Sequence, residues 1–157
     1  MSAPPDQRLS TTLREDMTAA LKAKDSVRLG TLRMALAAIQ VESKAGTTER
    51  ELSDDEVRKV LAREVKKRRE AAEAFTAGGR SDRADGELAE AEILESYLPQ
   101  QLSDDALAAI IAKALDGIDT SLGQKAMGPA MKAANAAAAG QAEGSRVAAE
   151  VKKQLGL

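Results

Sequence analysis

Apolar residues recur every three or four positions along most of the chain, which is the spacing of one face of an α-helix. Leu9, Leu13, Met17 and Leu21 show this spacing first and predict a helix from about Ser10 to Ala23. No stretch alternates apolar and polar residues as a half-buried strand would. The pattern therefore predicts an all-α fold.

A second helix is predicted after a break at Lys24, with Asp25 as its N-cap and its end near Gly46. Its apolar stripe comprises Leu29, Leu32, Leu36 and Ile39. A capping box then marks the start of the third helix, because the Ser53 hydroxyl can accept from the first turn while Glu56 reaches back.

The third helix is long and is predicted to end at Gly78 and Gly79. Its expected inward residues are Val57, Val60, Leu61, Val65, Ala72 and Phe75. A fourth helix should start at about Ser81 and end at Pro99, because proline cannot continue a helix. The apolar residues of this helix are Leu88, Leu94 and Leu98.

The segment from Pro99 to Leu102 is the predicted boundary between two helical domains, residues 1–98 and residues 99–157. Ser103 is a predicted N-cap for a fifth helix that ends at Gly117. This helix carries Leu107, Ile110, Ile111 and Leu115.

The next helix is predicted to start with a capping box of Ser121 and Gln124 and to end at Gly140. Gly128 and Pro129 interrupt it, and an interior proline costs roughly 3 kcal/mol, so a kink or a fresh start is expected there. A last helix carries Val147, Val151 and Leu155. About seven helices are therefore predicted.

The composition favours helices and excludes sites that depend on cysteine or histidine. Hydrophobic residues make up 43% of the 157 residues, yet the chain has one Phe and one Tyr, and alanine dominates. Cysteine and histidine are both absent, which excludes thiolate zinc sites and removes the commonest general base and metal ligand. We therefore expect no metal site, no cofactor and no catalytic residue.

The predicted location is cytoplasmic. The first five residues lack the apolar segment of a signal peptide. No apolar run approaches the roughly 20 residues that span a bilayer, so no membrane partner is expected.

Positive charge is concentrated in the middle of the chain. Residues 58–83 contain nine basic and four acidic residues, whereas residues 84–100 contain five acidic residues and no basic one. Lys59, Arg63 and Lys67 are spaced one turn apart and, together with Lys66, form a candidate surface for nucleic-acid phosphates. The near absence of aromatic residues argues against stacking on unpaired bases.

Two other interpretations explain the same basic run. It can be a solvated face with internal ion pairs, Glu64 with Arg68 and Arg69 with Glu73. It can also dock against the acidic helix of residues 84–100.

Two segments superficially resemble catalytic or metal-binding motifs, but structural explanations fit them better. The residues from Gly78 to Ser81 superficially resemble a phosphate-binding loop, but a helix C-cap followed by an N-cap explains them better. The acidic run of Glu87, Glu90, Glu92 and Glu95 lacks the histidine that helix-bundle metal sites pair with glutamate, which favours a solvated acidic face.

Taken together, several segments resemble the GatB/YqeY family, and specifically its short stand-alone YqeY-type members. The matching segments are Thr31–Met34, Ala37–Ile39, Glu64–Ala71, Phe75, Ala77–Asp82 and Tyr97–Ser103. Their order and spacing agree over almost the whole chain. The resemblance implies an N-terminal helical module followed by a smaller C-terminal helical module.

The C-terminal module is similar to the tail domain of the B subunit of the aspartyl/glutamyl-tRNA amidotransferase. The matching residues are Gly123, Lys125, Met127, Gly128, Met131, Gly140, Ala142, Val147 and Val151–Leu155. In that enzyme the tail helps to hold the outer corner of the tRNA, while the chemistry occurs elsewhere. A family label of carbon–nitrogen ligase with glutamine as amide donor would therefore be inherited through the tail alone.

The resemblance implies a non-catalytic, tRNA-associated accessory module, with tRNA or amidotransferase and translation components as partners. Its candidate RNA-binding residues are Lys125, Lys132, Arg146, Lys152 and Lys153, besides the basic face of the third helix. Pro129, Ala137, Ala139 and Gln141 occupy positions that tend to be basic in the family. The alternative function is a helical protein-interaction module without an RNA ligand. The sequence does not specify an oligomeric state.

Overall fold

A computed structural model of the chain describes residues 7–157, and every regular element in that range is helical. The expectation about a signal peptide in the first five residues lies outside the described range. The helices are α1 (Arg8–Ala23), α2 (Ser26–Ser43), α3 (Asp54–Ala77), α4 (Ser81–Glu95), α5 (Asp104–Ala114), α6 (Met127–Ala138) and α7 (Gly144–Gln154). The predicted all-α fold with about seven helices is confirmed.

Local capping chemistry sets three of the helix starts, as predicted. The Asp25 carboxylate accepts a hydrogen bond from the Arg28 backbone N–H at 3.1 Å. Ser53 and Glu56 form the capping box, with the Glu56 N–H donating to the Ser53 hydroxyl at 3.3 Å. Ser103 accepts from the backbone of the first turn of α5. These side chains satisfy N–H groups that have no partner within the helix.

The chain folds as two compact units, one ending at Leu98 and the other spanning Pro99–Leu157. In the first unit, α1 to α4 surround a core in which each helix contributes a fully buried leucine. These leucines are Leu13, Leu32, Leu61 and Leu94. Helices α3 and α4 pack along each other as a helical hairpin.

The second unit consists of α5 to α7 around its own core. Its buried residues in α6 are Ala130, Ala134 and Ala138, one turn apart on the same face. Their small side chains allow α5 and α7 to approach α6 closely, and Ile111 and Val151 fill the centre without any exposed surface. Alanine thus provides helix propensity and close packing together.

Several predicted details are wrong. Leu21 is exposed, and its neighbour Ala20 is buried instead. Leu88 is exposed as well. Helix α2 ends at Ser43 rather than near Gly46, and α4 ends at Glu95, before Pro99.

The Gly128–Pro129 pair coincides with a fresh helix start, as predicted. Helix α6 begins at Met127, so Pro129 lies in the first turn, where a backbone N–H has no helical partner to lose. The predicted capping box at Ser121 is wrong: the Asp119 carboxylate accepts from the Ser121 N–H at 3.0 Å and begins a 3-10 segment, Thr120–Ala126. Gly123 interrupts that segment with a φ of 57° and a ψ of −123°.

No helix within residues 7–157 combines the length and the apolar content that a membrane crossing requires.

Candidate functional site

The basic run of α3 is divided between a buried arginine and an exposed face. Arg68 is only 4% exposed, and its guanidinium donates to the Glu64 carboxylate at 2.8 Å and to the Glu64 carbonyl oxygen at 3.1 Å. A third hydrogen bond reaches the Glu90 carboxylate on α4 at 3.2 Å. The predicted pair of Glu64 with Arg68 is confirmed. Arg68 is therefore part of the packing between α3 and α4 and is not available to a ligand.

Ion pairs also join α3 to the acidic helix α4. Arg69 pairs with Glu95 of α4, so the predicted pair of Arg69 with Glu73 is wrong. Since Arg68 pairs with Glu90, the interpretation that the basic run docks against the acidic helix is confirmed for these two arginines. The interpretation of the acidic run as a solvated face is correspondingly wrong for Glu90 and Glu95.

The remaining cations of the run lie on the exposed face of α3. Arg63 donates to the Glu42 carboxylate at 3.0 Å, and the Lys67 ammonium lies 3.5 Å from the Glu64 carboxylate. Lys59 and Lys66 are exposed, and no salt bridge among residues 7–157 includes them. Exposed ion pairs contribute about 0–1 kcal/mol, so Arg63 and Lys67 can exchange their partners for an anionic ligand at little cost.

The candidate residues of the C-terminal unit differ in whether their side chains are free to contact a ligand. Lys125, Lys132, Lys152 and Lys153 are exposed, and within the described part of the chain none of them forms a salt bridge. Lys152 and Lys153 lie in the last turn of α7, where positive charge is favourable to the helix dipole.

Arg146 has a structural role within the same unit. Its guanidinium donates to the Leu102 carbonyl oxygen at 2.9 Å and to the Asp104 carboxylate at 2.9 Å. These bonds tie α7 to the start of α5. Arg146 is therefore a positioning residue whose charge is already partly compensated.

A half-buried polar contact in the N-terminal unit was not predicted from the sequence. The Tyr97 hydroxyl donates to the Asp16 carboxylate at 2.5 Å and accepts from the Arg28 guanidinium at 3.1 Å. Burial of the phenol, reinforced by the Asp16 carboxylate, raises the pKa of Tyr97 to about 12. Tyr97 therefore stays protonated at neutral pH and acts as a structural donor.

A groove between α1 and α2 is a second feature that sequence reasoning missed. It encloses about 1000 Å³, and its lining includes Arg14, Arg33 and Arg50 beside Glu49 and Glu51. The Arg50 guanidinium is bound to the Glu56 carboxylate at 2.9 Å. The lining of this groove therefore carries both positive and negative charges.

Several threonine hydroxyls of the described range are hydrogen-bonded to the backbone of their own helix. The threonine hydroxyls that donate to the carbonyl one turn earlier belong to Thr12, Thr18, Thr31 and Thr76. Residues 7–157 contain no group of three or more acidic side chains placed to hold a metal ion. At Gly78–Ser81 the backbone ends α3 and begins α4, with Gly79 at a φ of 76°.

One family of known proteins matches nearly the whole chain. A search among curated proteins found no match to the chain. The model of one protein family, described as Yqey-like protein, matches residues 10–155, which include all of α2 to α7 and most of α1. Because this match covers nearly the whole chain, the protein belongs to the Yqey-like family.

Proposed function

We propose that this protein is a non-catalytic, tRNA-associated accessory module whose C-terminal unit contacts the RNA. Its membership of the Yqey-like family supports the proposal. The resemblance of the C-terminal module to the tail domain of the tRNA amidotransferase B subunit, carried by residues between Gly123 and Leu155, supports it too. The cytoplasmic location expected from the sequence stays a prediction.

The observation that carries the proposal is the exposure of four lysines in the C-terminal unit. Lys125, Lys132, Lys152 and Lys153 are exposed and make no salt bridge with any residue of the described range. An RNA phosphate would therefore gain a contact without breaking an existing pair. Phosphate contacts supply most non-specific affinity, and duplex RNA is recognised mainly by shape.

The affinity of this surface for tRNA should be modest. Residues 99–157 contain no aromatic side chain that could stack on a base. Arg146 is occupied by Leu102 and Asp104. We expect a Kd on the order of 10⁻⁴ to 10⁻⁶ M, the non-specific range.

The test is the salt dependence of binding to a folded tRNA transcript. Replacing both Lys152 and Lys153 by alanine should lower the slope of log K against log salt by about two, because each lost phosphate contact removes about one unit. The matched control replaces Lys22 and Lys44, exposed lysines of the N-terminal unit outside both candidate surfaces, and should leave the slope unchanged. Replacing Lys59 and Lys66 tests the candidate surface on α3 in the same way. An absence of binding at low salt, or equal slopes for wild type and the Lys152/Lys153 variant, would contradict the proposal.

The same proposal requires that the protein lack amide-transfer activity of its own. The chain has no cysteine or histidine to serve as nucleophile or base, so the ligase label of the family would be inherited. Purified protein should not hydrolyse glutamine or ATP, nor amidate glutamyl-tRNA. Turnover that copurifies with the protein and disappears on a single substitution would contradict this.

A second candidate function is a protein-interaction module without an RNA ligand. Three exposed apolar residues on one helix, Val27, Met34 and Val41 of α2, favour it. If the wild-type protein does not bind tRNA at low salt, this second function becomes the better explanation.

A further inference from the structure

The sulfur of Met34 on α2 lies against a buried guanidinium of α3. The Nη2 nitrogen of Arg68 is 3.8 Å from this sulfur, while the other two nitrogens are bound to Glu64 and Glu90. Within residues 7–157 the sulfur is the only acceptor that Nη2 meets. A thioether sulfur is a weak acceptor. One end of a buried cation therefore has a poor hydrogen-bond partner.

Met34 is also open to solvent. It is 55% exposed, whereas Arg68 beside it is only 4% exposed. The other methionines of the described range, Met17, Met127 and Met131, are half-buried and pack against the hydrophobic cores of the two units. Because oxidation of sulfur in proteins follows its exposure, an oxidant in solution reaches Met34 most readily among these four residues.

Oxidation of a thioether by hydrogen peroxide would change the acceptor at this position. A lone pair of the sulfur attacks one peroxide oxygen, so that an S–O bond forms while the O–O bond breaks, and the second oxygen leaves as water. The sulfur loses two electrons and the peroxide gains them. The sulfoxide oxygen carries partial negative charge, and a hydrogen bond to it from a guanidinium is charge-assisted.

We propose that Met34 is a site of reversible oxidation by peroxide, at which Arg68 binds the sulfoxide oxygen. Oxidation of a methionine in an apolar core disrupts packing, but here the new oxygen gives Nη2 a stronger acceptor than sulfur. The fold therefore tolerates the modification. Its consequence lies at the surface, because the sulfoxide places a polar group between Val27 and Val41, the other exposed apolar residues of α2.

Peroxide mapping tests whether Met34 is the preferred site. Limited treatment of the full chain with hydrogen peroxide, followed by peptide mass spectrometry, should show Met34 oxidised at least about tenfold faster than Met17, Met127 or Met131. Methionine sulfoxide reductases of both epimer specificities should then remove the added oxygen from the folded protein. Oxidation of a half-buried methionine at the same rate, or a Met34 sulfoxide that these enzymes leave unreduced, would overturn the proposal.

Substitutions test whether Arg68 accommodates the oxygen. Met34→Gln supplies an amide oxygen as acceptor, whereas Met34→Leu supplies none. Urea unfolding followed by the fluorescence of Tyr97, the only tyrosine, should give the Gln variant a midpoint equal to or above that of the Leu variant. In an Arg68→Lys background, which keeps the charge but lacks the forked donors, the order should reverse.

The matched control places the same pair of substitutions at Met17, which packs against the core of the same unit. Met17→Gln should have a lower midpoint than Met17→Leu with either residue at position 68, because a half-buried amide there gains no guanidinium. A Met34→Gln variant that is less stable than Met34→Leu in the wild-type background would overturn the proposal.

NMR of the wild-type chain provides a direct measurement that does not depend on whether Arg68→Lys folds. Oxidation should shift the Nη2 proton resonances of Arg68 downfield, because oxygen replaces sulfur as their acceptor. Resonances of Arg68 that do not move on oxidation of Met34 would overturn the proposal. The C-terminal lysines take no part in these measurements, so failure of this proposal is distinct from failure of the proposed function.

Discussion

The Tyr97 hydroxyl donates a hydrogen bond to the carboxylate of Asp16, a residue 81 positions earlier in the chain. Arg28 donates to the same hydroxyl at 3.1 Å, so one phenol joins α1, α2 and the turn that follows α4. A half-buried hydroxyl that both donates and accepts is fully satisfied, and it fixes how the helices of this unit meet.

The pKa of Tyr97 can be measured directly, because it is the only tyrosine and the chain has no tryptophan. In the folded protein the phenolate absorbance should appear with a pKa of about 12. In denaturant it should appear near the ordinary value of about 10. Above pH 10 the unfolded state releases this proton first, so stability should fall as the pH rises from about 10 through about 12.

The control for this titration is Asp16→Asn. It removes the carboxylate that opposes the phenolate, so the pKa of Tyr97 should fall while much of the effect of burial remains. A native titration near pH 10 in wild type would show that the phenol is solvated and that the contact with Asp16 does not persist in solution.

Arg68 should be the most costly member of the basic run to replace. Arg68→Met leaves Glu64 and Glu90 without their shared partner, which we expect to lower the free energy of unfolding by about 2–4 kcal/mol. Arg69→Met breaks an exposed pair with Glu95 and should cost less than about 1 kcal/mol. Urea unfolding followed by Tyr97 fluorescence reports on this unit alone, since no aromatic residue lies in the other.

A compensated variant separates lost charge from lost packing. Adding Glu64→Gln and Glu90→Gln to Arg68→Met removes the unpaired charges and should recover part of the stability. If Arg68→Met and Arg69→Met lower the free energy of unfolding equally, the buried ion pairs of Arg68 stabilise the fold no more than a surface pair does.

The helices could be predicted well from the sequence, because their starts depend on contacts within one turn. Asp25, Ser53 and Ser103 each bond to a backbone N–H three residues ahead, which a linear sequence displays directly. The error at Leu21 has a geometric cause. Residues four apart advance 400°, so two such steps from the buried Leu13 turn Leu21 by about 80° away from the buried face.

The candidate site was less predictable, because availability of a charge depends on which helix lies beside it. Arg68 and Lys67 are adjacent in sequence, yet one is buried against α4 and the other is exposed. The partner Glu90 lies 22 residues away, and no local signal selects it. The exposed apolar residues of α2 also had a signal in the sequence, the seven-residue spacing of Val27, Met34 and Val41, but the core residues of the same helix formed the more evident pattern.

Replacing Gly123 should lower stability because of its backbone conformation. Its φ of 57° with a ψ of −123° is a conformation open to glycine and costly for other residues. A Cβ at this position would meet nothing within 4 Å, so Gly123→Ala tests backbone strain alone. We expect a loss of about 1–3 kcal/mol, measured by amide hydrogen exchange of Val147 and Val151.

The control in the same unit is Gly144→Ala. Gly144 is the first residue of α7, and a Cβ there also meets nothing within 4 Å. Because alanine favours the helix, this variant should be neutral or stabilising by up to about 1 kcal/mol. If both variants changed the stability equally, the backbone conformation of Gly123 would not be the cause of the loss.

The ion pair of Glu56 at the start of α3 should make the stability of the fold depend on pH in the acid range. The Arg50 guanidinium donates to its carboxylate at 2.9 Å, and this hydrogen bond, assisted by Ser53, lowers the pKa of Glu56 to about 2. A carboxyl group whose folded pKa is depressed stabilises the fold above its unfolded value of about 4.3, and the contribution disappears as the pH falls through about 2. Arg50→Met should therefore raise the pKa of Glu56 towards its usual range, as followed by the NMR shift of the carboxyl carbon. The Tm of this variant should fall less than that of wild type between pH 4.5 and pH 2.

Arg58→Met, which breaks the neighbouring exposed pair with Asp55, is the matched control and should leave the titration of Glu56 unchanged. A wild-type Glu56 that titrates near its ordinary value of about 4.3 would show that the ion pair with Arg50 does not persist in solution.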